Sequence, residues 1–146
     1  MSEVHTQLGA VAIAVNALAA LIGGAAWLAS RNPRAFWICL RAGQALFMLQ
    51  AVSGAALVLS GHDLPRLHLI YGLIPIAIAF LAEQLRFMAT PTLLDQRGLE
   101  GGKDVAKLPE REQRALVAAI LRREIGVMAT SALIVAVLAS RAQGWL

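Results

Sequence analysis

Polar and apolar positions divide the chain into four long, nearly uncharged stretches separated by short polar breaks. From Val4 to Ser30 there is no Asp, Glu, Lys or Arg, and about 20 predominantly apolar residues suffice for a helix to cross the hydrocarbon of a bilayer. Arg31, Asn32, Pro33 and Arg34 interrupt the run with a turn and two positive charges. A second stretch from about 35 to 60 carries Arg41 as its only charge, and the segment Gly61 to Arg66, with glycine and proline, forms the next turn. The third stretch begins at Leu67 and meets no charge until Glu83. Its helical pattern extends toward Pro91 or Asp95, with Pro75 inside it as an expected kink.

A polar, glycine-containing loop follows. The fourth helix opens at Pro109, where a missing N–H costs nothing. Glu110 and Glu112 in its first turn complement the helix dipole. No helix breaker occurs before about Ser140, so it is about 48 Å long at 1.5 Å per residue. The hydrocarbon is only about 30 Å thick, and the first turns must stand outside it. They are expected to pack against the end of the third helix or to offer a docking surface for a partner or for anionic lipid.

The pattern predicts an all-α membrane protein forming a single unit over residues 1–146. Spans are expected at about 4–30, 35–60, 67–90 and 115–140, with a loop over 91–114. Composition agrees: 58% of residues are hydrophobic and 15% charged, against about 25% charged in a soluble domain. Of the 13 Lys and Arg residues, all but Arg66 and Arg141 fall on the side of the 31–34 turn and the long loop. That asymmetry places the loop in the cytoplasm and both termini outside, in an antiparallel four-transmembrane-helix bundle of the cell membrane with the fourth helix extended into the cytoplasm. The net charge of +4 is thereby a topology signal and does not indicate nucleic acid. The first stretch lacks a basic leader region and is longer than a signal core, so it reads as a retained helix. No lipidation motif is found at either end.

Candidate chemistry is sparse. Cys39 is the single cysteine, which excludes an internal disulfide or a multi-thiolate centre within one chain. There is no phosphate loop, nucleophile elbow or His-Glu-x-x-His, and no catalytic residue can be named. On the third helix His68, Tyr71, Gly72, Pro75, Ala79, Glu83 and Arg86 recur along one face. Intramembrane ionisable groups usually face the interior and find partners. Arg41, Gln44, Glu83, Arg86, Arg123 and Glu124 are therefore expected to form a buried polar layer, with Glu83 paired to Arg41 or Arg123. His5, His68 and His62 fall at the opposite end. Two imidazoles from different helices can clamp one b-type haem, with Arg66 facing a propionate and Tyr71 lining the pocket. Copper or zinc there is a further option. On the first helix Ala12, Asn16, Ala20 and Gly24 follow at i+4, a flat face for close helix contact, broadened by Ala19 and Gly23. Asn16 is expected to hydrogen-bond across to a neighbouring helix. Trp27, Trp37 and Trp145 are expected as interface anchors.

Three functions fit these residues. The foremost is a non-catalytic accessory or scaffold component of a larger membrane complex, assembled with copies of itself or with other subunits. The alternative is a haem-binding redox protein using histidines near the outer face. A third is movement of an ion or small solute along the face from His68 to Glu83, about 22 Å along the axis.

Overall fold

In the computed structural model, which describes residues 2–63 and 65–146, the chain folds into six helices, and no strand occurs among the described residues. Leu64, in the second turn, lies outside the described residues. The helices are α1 (Ser2–Leu28), α2 (Arg34–Leu59), α3 (Arg66–Phe87), α4 (Ala89–Asp95), α5 (Gly102–Lys107) and α6 (Glu110–Gln143). Four segments, Glu3–Leu28, Arg34–Leu59, Arg66–Asp95 and Glu110–Gln143, are long and apolar enough to cross a membrane. The chain is accordingly a membrane protein built as a helix bundle.

The helix ends follow local rules. Pro33, Pro65 and Pro109 each stand immediately before a helix, where fixed φ suits entry into the first turn. Four helices end with a residue at positive φ: Ser30, Gly61, Gly98 and Gly144. In each case the next amide reaches back five residues, Arg31 to Ala26, His62 to Leu57, Leu99 to Leu94 and Trp145 to Ser140, at 2.8–3.1 Å. That bond satisfies a carbonyl the helix end would leave open. Ser30 adopts this conformation without glycine's freedom.

Pro75 is buried inside α3, and the helix continues across it. The break comes at Met88 instead. Pro91 explains the position, because a proline ring clashes with the carbonyl four residues earlier, here Phe87. The expected loop 91–114 is therefore partly helical, holding most of α4 and all of α5. Within it Asp104 accepts from Lys107 Nζ at 2.8 Å and from the Glu100 amide. These contacts, the lysine first, hold its carboxyl below the usual range. The 34 residues of α6 extend about 51 Å. Its first turns carry α4, and Leu116 and Ala89 are both buried there.

Packing is uneven. α1 lies along α6 and α2, and α6 also lies along α3, whereas α2 and α3 scarcely touch. A cleft consequently separates α2 from α3, floored by α1 and α6. One core cluster joins Ala19, Ala26, Phe36, Leu40, Ile125 and Met128, and a second joins Ala12, Ile13, Phe47, Val135 and Ala139. Large apolar side chains such as Leu21, Ile38, Val52 and Phe80 point outward, as helices bathed in hydrocarbon require.

The close-contact face of α1 is rotated from the i+4 line expected. Ala12, Asn16, Ala19 and Gly23 are buried, while Ala20 and Gly24 are only half-buried. A Cβ added at Gly24 would meet nothing within 4 Å, yet one at Gly23 would lie 2.8 Å from Ala129 Cβ and press on the Phe36 ring. Asn16 does not bond across helices either. Its Nδ2 donates to Ala12 O of its own helix at 2.8 Å, and its amide packs on Gly43 of α2.

Candidate functional site

The first polar constellation lies at the end of the bundle where the termini meet, with Gln143 Nε2 donating to Thr6 O at 2.8 Å. His5 opens α1 and His68 sits in the first turn of α3. Their ring centres are 5.9 Å apart and the rings are tilted by 52°. Each imidazole is held from behind. His68 Nδ1 is 2.9 Å from Ala142 O, a pure acceptor, so Nδ1 carries the hydrogen and Nε2 keeps its lone pair in the neutral ring. His5 Nε2 lies 3.0 Å from the side-chain amide of Gln50. His5 Nδ1 lies 2.8 Å from Ser53 Oγ, and that hydroxyl donates onward to Gln50 O at 2.9 Å. On both rings Nδ1 is anchored to oxygen, as in metal-ligating histidines fixed by an outer partner.

Around the pair the cleft widens into a cavity of about 400 Å³. Phe47, Ala55, Val58, Leu69 and Leu73 line its apolar walls. Glycines make room where the backbone approaches. A Cβ at Gly54 would stand 3.1 Å from His5 Cε1, and one at Gly9 would stand 2.9 Å from Gln50 Nε2. Gly72, across the cavity, meets nothing. Gln50 Oε1 is buried without a hydrogen-bond partner among the described residues, an unusual state for a buried polar atom.

Three residues proposed beside this pair lie elsewhere. His62 is exposed and bonds Ser60. Arg66 is exposed outside the cavity lining. Tyr71 is turned to Arg141, whose guanidinium carbon stands 5.7 Å over its ring. Gln50, Ser53 and Gly54, by contrast, were not singled out from sequence. The polar pair Gln50 and Ser53, within an otherwise apolar span, was the available signal.

The second constellation occupies the other end of the cleft. Glu83 takes an ion pair from Arg41, a hydrogen bond from Gln44 Nε2 at 3.0 Å and a second ion pair from Arg86 at 2.9 Å. Arg86 continues to Glu124 at 3.5 Å and lies 5.3 Å over the Trp37 ring. Arg123 is not in this layer: it forms no ion pair among the described residues and faces a different groove. Helical geometry explains this, since Arg123 and Glu124 are adjacent and adjacent residues point about 100° apart. Glu83 thus joins α2 to α3 where the helices otherwise barely meet. We expect Glu83→Gln to lower stability by on the order of 1–2 kcal/mol, discounted because Arg41 is half exposed. Unfolding in mixed SDS micelles measures it, and an unchanged midpoint would mean the layer contributes nothing to the fold.

Comparison with protein-family models, with curated proteins and with solved structures yields no match. The chain is a membrane helix bundle with an imidazole pair at one end of an open cleft and a charged layer at the other.

Proposed function

We propose that this protein is a membrane redox protein that binds one b-type haem between His5 and His68. The observation that carries the proposal is the paired geometry of the imidazoles. Two imidazoles from different helices, with ring centres 5.9 Å apart, can together hold one haem iron. Both Nδ1 atoms are tied back to oxygen, and an apolar, glycine-relieved cavity adjoins the pair. No group of three or more His, Cys, Asp or Glu side chains gathers among the described residues. A zinc site needs further ligands of that kind, whereas haem could be held by the two imidazoles. Bound haem would supply one-electron chemistry at iron. The chain's part is to orient both imidazoles, exclude water with its apolar walls and release the Gln50 amide from His5 Nε2.

In the orientation we propose, an antiparallel bundle has both termini outside and the long loop in the cytoplasm of a cell-membrane protein. The distribution of Lys and Arg supports it. The haem then lies near the outer face. A second reading, a non-catalytic accessory or scaffold component associated with other membrane subunits or with its own copies, draws on the protruding start of α6. Arg111 and Arg114 are exposed there.

Purification after haem-replete expression, with a visible spectrum and metal analysis on the same sample, separates the two readings. One iron per chain and a Soret band are expected. A colourless, iron-free protein that co-isolates with a fixed set of membrane subunits would replace the first reading by the second.

A further inference from the structure

Away from the imidazole cleft, a second groove runs between α3 and α6. Leu81 and Leu85 form one wall, Val127 and Ile134 the other. Its volume is about 460 Å³. Trp27 of α1 reaches it because Gly126 has no side chain: a Cβ there would lie 2.8 Å from the indole Nε1. At one end the groove meets a smaller hollow of about 410 Å³ that shares Trp27 and Arg123 with it and adds Ser30 and Arg122.

Charge and depth say what such a place takes. Arg122 lies 5.8 Å over the Trp27 ring, and neither Arg122 nor Arg123 forms an ion pair among the described residues. The neighbouring acid, Glu124, is taken by Arg86. From Arg123 to Gln143, the end of α6, is 20 residues. That is about 30 Å along the axis, the thickness of the hydrocarbon. Arg123 therefore sits at headgroup depth when Gln143 marks the opposite surface. An unpaired guanidinium pair is suited to phosphate recognition, and the groove beneath it is suited to an acyl chain.

We infer that the α3–α6 groove and the Arg122–Arg123 hollow form a binding site for one anionic phospholipid, with its phosphate at the arginines and an acyl chain between the helices. Two positive charges at this depth favour a lipid with net negative charge over a zwitterionic one. The site is independent of the haem proposal, which concerns the other end of the bundle.

The test uses full-length protein with Trp37→Phe and Trp145→Phe, so that Trp27 alone reports. Phosphatidylglycerol brominated on its acyl chains is expected to quench Trp27 more strongly than equally brominated phosphatidylcholine at the same dilution. Arg122→Gln with Arg123→Gln should abolish that preference, and Lys at both positions should restore much of it. Soluble glycerol phosphate should leave quenching unchanged, because the acyl chain supplies part of the affinity. Native mass spectrometry of the protein with its native tryptophans should show one retained phosphatidylglycerol, lost in the Gln variant. Equal quenching by the two lipids, or a preference that survives both Gln substitutions, would overturn the inference. Displacement by glycerol phosphate would also overturn it, by assigning the hollow to free phosphate.

Discussion

Replacing His68 with alanine is expected to strip the protein of retained haem, and replacing His5 is expected to do the same, while Gln50→Ala leaves the Soret band intact or strengthens it. Loss of an outer hydrogen-bond partner commonly weakens a metal site by about 10–100-fold, and loss of a ligand should exceed that. The contrast with Gln50 follows from its position. Its side-chain amide occupies the His5 Nε2 that iron would take, and its Oε1 is buried without a partner among the described residues. Removing the side chain frees that nitrogen and deletes a buried polar atom left without a partner, whose burial costs about 1–3 kcal/mol. Gly54→Val keeps both imidazoles but drives a branched side chain toward His5 Cε1, already 3.1 Å from a bare Cβ. It should therefore lower haem retention too. Absorbance at the Soret band per protein, with circular dichroism to show that each variant is folded, reads all four. A band indifferent to both histidine substitutions would remove the imidazole pair from the site.

The second large effect concerns two adjacent glycines of opposite character. Gly23→Val is expected to destabilise the bundle by about 2–3 kcal/mol, near the upper part of the range for overpacked cores. Gly24→Ala is expected to be neutral or to stabilise by up to about 1 kcal/mol through helix propensity. At Gly23 the intruding carbon meets Phe36 and Ala129, and Phe36 is wholly buried in the core cluster shared by α1, α2 and α6. The ring has nowhere to retreat without moving a helix. At Gly24 the same carbon enters open space. Unfolding midpoints in mixed SDS micelles compare the two. Equal losses at both positions would mean that the contact face of α1 is not the one described.

Gly23 and Gly24 also show where sequence reasoning ran out. An i+4 series fits either of two neighbouring stripes on α1, and the 100° turn between consecutive residues separates them only when the partner helices are in place. The same holds for Arg123 and Glu124, of which only Glu124 reaches the charged layer. His5 and His68 were legible as two imidazoles near one end of the bundle. Their approach to 5.9 Å, with Gln50 and Ser53 behind His5, was not, because 63 positions and two turns separate them in the chain.

What the sequence determined by itself is the solvent and the element plan. Four apolar runs of spanning length must be helices in lipid, since only a helix satisfies its backbone within one segment. Prolines and glycines mark most of the helix boundaries through φ alone. The imidazole pair was decided by tertiary structure. It exists because α1 and α6 pack closely while α2 and α3 stay apart. That cleft depends on which small residues face which neighbours, a property of interhelical contact that periodicity along one helix does not encode.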